Sequence, residues 1–213
     1  CLSDWSSDVC SSDLVLLSSS AHHIYWLGRY LFRIGHVASY LPFCDDEQAA
    51  RFAQALCLHI DDAESLNQFM LDQQQPYSLL SQLEIARDNI QELRGLLTAQ
   101  AYAELNYIIK NAVSDGEAIQ GIIEKCCAII KAEQDDIFLF FHVGQCVEQI
   151  DTYFRFQHNI DHTIDSIDPI IGRLFELGWH DLQPSWEILK DQPYLNQFYA
   201  FTYKLENQFE AFS

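Results

Sequence analysis

The chain has 213 residues, 49% of them hydrophobic, enough to fill a core, and its 12 basic against 31 acidic side chains give a formal net charge of −19. A surface of that sign repels phosphate backbones and anionic headgroups, which excludes nucleic acid and membrane surfaces as partners. No uninterrupted apolar run approaches the roughly 20 residues that cross a bilayer, and the length suits one or at most two domains.

Residues 1–14, "CLSDWSSDVCSSDL", carry Ser-Ser-Asp twice, and "DVCSSDL" resembles a sequencing adapter translated through an open reading frame. They are read as a non-native scar ahead of a single helical domain over 15–213. Without Asp4, Asp8 and Asp13 the charge is −16. A secretory leader is the alternative, but "LVLLSSSA" offers only four apolar residues with no basic residue before them. Beyond the scar stand Cys44, Cys57, Cys126, Cys127 and Cys146, an odd set with no Cys-x-x-Cys pair. That argues against a disulfide framework and a structural zinc site and for reduced thiols in a cytoplasmic protein.

Ile24, Leu27, Leu31, Ile34, Ala38 and Leu41 recur at spacings of three and four and predict a first helix that Pro42 stops. A second helix is expected over Asp45 to Asp72, and a third carries the stripe Leu79, Leu83, Ala86, Ile90, Leu93 and Leu97 after Pro76. The pattern continues over Ala99 to Val113, Gly116 to Lys131, and from Asp135 or Asp136 to Asn159. A short helix around Leu174 follows Pro169, then a turn at "DLQPSW" and a last helix from Gln192 to Phe212. No segment alternates at period two. The expectation is an all-α bundle of about seven to eight helices.

A weak internal repeat relates the first and sixth helices: the step from Gly28 to Gly144 carries Ile24, Leu27, Leu31, Ile34 and Ala38 onto Phe140, Val143, Val147, Ile150 and Phe154. Both stripes are central if buried, each aliphatic contributing about 1.5–3 kcal/mol.

"YWLGRYLFRIGHVASYL" is an apolar helix with two glycines and two arginines in its middle. Glycine lets another backbone approach, so Gly28 and Gly35 mark a close crossing whose natural partner is the helix around Gly144. Arg29 and Arg33 lie one turn apart and need carboxylates. The residues expected to form an internal polar seam are Arg29, Arg33, Arg87, Glu148 and Asp151, with Arg94 extending the basic row. Structural ion pairs at helix crossings are the plain alternative to a site.

At these same residues the chain resembles a bacterial family, the alpha-E domain. "LSSSAHHIYWLGRYLFRIGHVASYL" is similar to its Tyr-Trp-Leu-Gly-Arg-Tyr opening, with Leu16 at the initiator position. "FMLDQQQPYSLLSQLEIARDNIQELRGLLTAQAYAELN" is similar to its middle through Asp72, Pro76 to Ser78 and Ala86 to Asn89. "FFHVGQCVEQID" resembles its Gly...Glu-x-x-Asp helix through Gly144, Glu148 and Asp151. The family's usual Glu-Arg-Ala-Glu is here Phe32, Arg33, Ile34 and Gly35, so both first-helix glutamates are missing. Gln149 stands where arginine is common, and the C-terminal portion is shorter than usual.

The resemblance implies an all-helical protein of no established activity, encoded beside ATP-grasp-type amidoligases and transglutaminase-like peptidases. Two functions stay open. One is an accessory or partner protein of such an amidoligase or peptide-modification system, favoured because no complete catalytic set is readable. The other is an enzyme using a buried carboxylate/arginine seam for amide-bond chemistry, with at least one carboxylate pKa raised by burial.

No cofactor is expected, since the chain has no phosphate-cradling glycine loop. "HNIDHTID" would set His158 and His162 one helical turn apart beside Asp161 and Asp165, but lacks the metalloprotease glutamate, and no metal is expected. Trp186 and the terminal aromatics Phe198, Tyr199, Phe201, Tyr203, Phe209 and Phe212 read as packing residues or as a partner-docking face.

Overall fold

A computed structural model describes residues 18–112 and 115–211. The expected scar and Phe212 lie outside the described residues. In chain order the elements are α1 (Ser18–Ala38), α2 (Asp46–Ala55), α3 (Ala63–Leu71), α4 (Leu79–Glu92), α5 (Ala99–Lys110) and α6 (Gly116–Lys131). Then come α7 (Asp135–Arg155), α8 (Asp161–Glu176), a 3-10 turn at His180–Leu182, α9 (Gln183–Asp191) and α10 (Leu195–Ala211). The described residues thus form an all-α bundle without strands, with ten α-helices rather than seven or eight.

Short polar side chains set the starts. Asp45, Asp62, Ser78, Thr98 and Asp115 each accept a hydrogen bond from the backbone N–H three residues on, at 2.7 Å for Asp45 and Asp62. Each satisfies one of the donors a helix start leaves free.

The extra helices have identifiable causes. The expected helix over Asp45 to Asp72 is two, because Cys57 takes a left-handed φ of 60° and Leu58 N–H donates to Ala53 O at 2.8 Å, ending α2. Asp62 then caps α3. Gln157, at φ 55°, closes α7 in the same way through His158 N–H to Tyr153 O at 2.8 Å, so that helix stops at Arg155 and not Asn159. Glycine usually supplies this conformation, and neither residue announces it.

Pro169 lies inside α8, where a helix was expected only after it. An interior proline costs about 3 kcal/mol. Ile164, Ile167, Ile171 and Leu174, all buried on one face that runs through the proline, offset that cost. Pro184 takes an opening position of α9, so "DLQPSW" is a 3-10 turn feeding a helix that buries Trp186 completely.

Helix α1 runs through the middle, against α7, α4, α6 and α10. Ile24, Leu27, Leu31 and Ile34 are fully buried, as is Tyr25, and join one hydrophobic cluster with Val143, Val147 and Ile150 of α7. The α1–α7 crossing is reciprocal. A Cβ on Gly28 would overlap the Phe141 carbonyl oxygen and lie 3.2 Å from Gln145 N; one on Gly144 would overlap the Tyr25 carbonyl oxygen and lie 3.1 Å from Arg29 N. The same sequence step relates each residue to its counterpart, a two-fold relation of this one crossing; no wider internal repeat is established by it. Gly35 belongs to a different contact, since its Cβ would meet Ile123 Cγ2 of α6 at 3.1 Å and nothing of α7.

Candidate functional site

Because the glycines bring the α1 and α7 backbones together, side chains one turn further along face each other. Arg29 donates from Nε to Glu148 Oε2 at 2.9 Å, while Arg33 donates from Nε to Oε1 at 2.6 Å and from Nη2 to Oε2 at 2.8 Å. The Glu148 side chain is 3% exposed. Burial alone would raise its pKa, but the Arg33 and Arg29 guanidiniums outweigh burial and hold the carboxyl below its ordinary range. The aromatic rings of "YWLGRY" flank the same cations, with the Arg29 guanidinium carbon 4.7 Å from the Trp26 ring centre and that of Arg33 5.5 Å from Tyr30.

The last helix supplies a carboxylate that sequence reasoning missed. Glu206 Oε1 accepts from Arg29 Nη1 at 2.9 Å and from the Tyr25 hydroxyl at 3.2 Å, so Arg29 ties α1 to both α7 and α10. Burial pushes the Tyr25 phenol far above its ordinary range and keeps it a donor. No local pattern could find Glu206, 177 residues from Arg29.

Two of the five residues expected in the seam are elsewhere. Arg87 pairs with Glu84 of its own helix at 2.7 Å, on the outer face of α4, and Arg94 is exposed. Asp151 is buried, but its partner is Arg155 of the same helix at 2.9 Å, and its Oδ1 has no partner among the described residues. The physical reason is local: Arg155, one turn on in α7, takes Asp151 Oδ2, and neither α1 arginine bonds to that carboxylate.

Beside the ion pairs opens a cleft of about 420 Å³ between α1, α4, α7 and the α2–α3 link. Arg33 and His36 reach it from α1, and Glu148, Thr152 and Arg155 reach it from one face of α7. Gln82 of α4 and the apolar Val37, Met70 and Phe156 complete the wall. Two polar atoms of this wall, Gln82 Oε1 and His36 Nε2, are buried and make no hydrogen bond among the described residues. Burial, and secondarily the positive form of His158, pull the His36 pKa down, so the ring is neutral at pH 7.

Among the described residues no group of three or more His, Cys, Asp or Glu is placed to hold a metal ion, and no helix is long and apolar enough to cross a membrane. His158 lies in the α7–α8 link and His162 on α8, so the two do not share a helical turn. Phe198, Phe201 and Phe209 of α10 face inward, while Tyr199 and Tyr203 face out.

A family model, Alpha-E, matches residues 16–166 and is described as a predicted alpha-helical domain with a conserved ER motif. The matched span holds α1 to α7 and both ends of the Arg29–Glu148 pair. It contains no Glu-Arg dipeptide. Arg33, preceded here by Phe32, is one of the two arginines that hold Glu148. No curated protein and no solved structure gives a match.

Proposed function

Because the chain belongs to the Alpha-E family, we propose that it is a non-catalytic helical partner in a peptide-modifying system, engaging an ATP-grasp-type amidoligase or a transglutaminase-like protein. The observation that carries this reading is the saturation of Glu148. A carboxylate that accepts three guanidinium N–H bonds and is held in its ionised form has no proton to donate and little basicity with which to take one. That weighs against the alternative of an enzyme using the seam for amide-bond chemistry.

A partner needs a contact surface. Leu195, Tyr199 and Tyr203, spaced one turn apart on α10, are 44%, 49% and 68% exposed, with Tyr194 beside them. Tyrosines of this kind serve as anchors when a partner covers them. The five cysteines of the described residues are unpaired, which suits a cytoplasmic pairing with such an enzyme.

The test is co-elution of the purified chain with ATP-grasp-type amidoligases and transglutaminase-like proteins from the same genome. Binding is expected with one of them, weakened at least about tenfold by Tyr199→Ala with Tyr203→Ala. Failure with all of them would overturn the reading, as would amide-bond chemistry by the isolated chain that Glu148→Gln abolishes.

A further inference from the structure

The cleft beside Glu148 has a donor set that the ion pairs do not use up. Arg33 gives Nε and Nη2 to Glu148 and keeps Nη1; Arg155 gives Nε to Asp151 and keeps both terminal nitrogens. Neither guanidinium has another hydrogen-bond partner among the described residues. Both line the cleft, with side chains 32% and 41% exposed, within reach of anything that enters.

Charge limits what these donors take. Of the charged side chains in the lining, Arg33 and Arg155 stand against Glu148, while Arg29 and Asp151, which pair with these residues, and Glu206, which pairs with Arg29, lie outside it. The wall therefore carries an excess of one positive charge, which suits a monoanion. The planar guanidinium forks match a carboxylate. Most of the remaining wall is apolar or aromatic, with His36, Thr152 and the unsatisfied Gln82 Oε1 set among it. A buried acceptor without a partner is met by an N–H donor. The volume of about 420 Å³ falls in the range of small-ligand sites and holds one amino-acid unit with its neighbouring amide.

We infer that this cleft binds an N-acylated apolar amino acid, free or as the C-terminal residue of a peptide, with its carboxylate on Arg33 and Arg155 and its amide N–H toward Gln82. The assignment rests on the cleft alone and is independent of which protein partner the chain engages.

Calorimetric titration of the full chain with N-acetyl-L-phenylalanine, its carboxamide, the tripeptide Ala-Ala-Phe and inorganic phosphate tests it. The acid is expected to bind at least about tenfold more tightly than the carboxamide, which keeps the ring and the N–H and lacks the charge. Equal binding of Ala-Ala-Phe assigns the site to peptide ends; loss of the tripeptide alone assigns it to the free acylated amino acid. Arg155→Lys, which keeps a cation beside Asp151, should weaken the acid about tenfold. Gln82→Leu should weaken it, with the folded state checked by circular dichroism because the substitution also removes the Nε2 donor to Tyr77 O at 2.9 Å. Tyr107→Ala, at an exposed site of α5 away from the cleft, should change nothing. Equal affinity for acid and carboxamide, tighter binding of phosphate, binding untouched by Gln82→Leu, or no binding of either the acid or the tripeptide would overturn the assignment.

Discussion

Gly28 and Gly144 occupy each other's blind side: the backbone facing Gly28 is that of Phe141 to Gln145, and the backbone facing Gly144 is that of Tyr25 to Arg29. Neither position has room for a methyl group. This contact sets the distance between α1 and α7, and with it whether Arg29 and Arg33 reach Glu148.

Gly28→Ala and Gly144→Ala should each destabilise the fold by about 3 kcal/mol or more, since the atom in the way is backbone and cannot rotate aside. Gly121 and Gly172 are controls of the same chemistry, each in a helix with nothing within 4 Å of the added Cβ. Alanine there should stabilise by about 0.5–1 kcal/mol. Urea unfolding of the four variants reads the contrast. Equal effects at all four sites would mean that the crossing tolerates separation.

Glu148→Gln should cost about 3–5 kcal/mol at pH 7, because it leaves Arg29 and Arg33 facing a buried neutral amide. Glu206→Gln should cost less than about 1 kcal/mol, since that side chain is 34% exposed and solvent screens it. The Glu148 carboxyl titrates lower in the folded than in the unfolded chain. Its contribution is therefore full above the unfolded carboxylate value of about 4.3 and falls away as the pH drops toward its folded value. The stability gap between the native chain and Glu148→Gln should accordingly narrow below pH 4 in denaturant titrations. A gap that widened there would mean that the carboxyl is not held ionised by the fold.

Alkylation should divide the cysteines by burial. Cys126 and Cys146 are buried, and desolvation pushes both thiols up to about 12, whereas Cys44 and Cys57 are exposed. Iodoacetamide on the native chain, read by peptide mass spectrometry, should modify Cys44 and Cys57 at least about tenfold faster than the buried pair. Comparable rates would show that the α6–α7 core opens readily.

Trp186→Phe should cost about 1–3 kcal/mol. It removes the indole donor to Asp168 Oδ1, at 2.6 Å, from a fully buried ring and leaves space behind. Asp168 keeps Lys190 at 3.0 Å, so no orphaned charge adds to that figure. The same carboxyl is held below its ordinary range first by the indole and then by Lys190. NMR titration of the variant should move the Asp168 pKa toward its ordinary value, and an unchanged value would argue that Lys190 alone sets it.

What the sequence determined by itself is what local chemistry controls. Apolar residues at spacings of three and four placed the buried faces of α1, α4 and α7, because side chains one turn apart on a helix share a face whatever they pack against. The starts expected at Asp45, Ala99 and Gly116 lie within one residue of the observed ones, because a cap acts within three residues. Gly28 and Gly144 carried their meaning for a similar reason, as absence of a side chain has few uses inside a helix, whereas Gly35 packs on Ile123 of α6 instead.

Tertiary structure decided the rest. The breaks at Cys57 and Gln157 depend on a left-handed conformation that neither side chain prefers, imposed by what the following segment packs against. Pro169 stays helical because the burial of one face outweighs a local penalty. Glu206 and the cleft between α1, α4 and α7 depend on rotations about helix axes, where a turn of one residue replaces one partner by another. Periodicity states which face is apolar, and only the packed bundle states which polar side chain meets which.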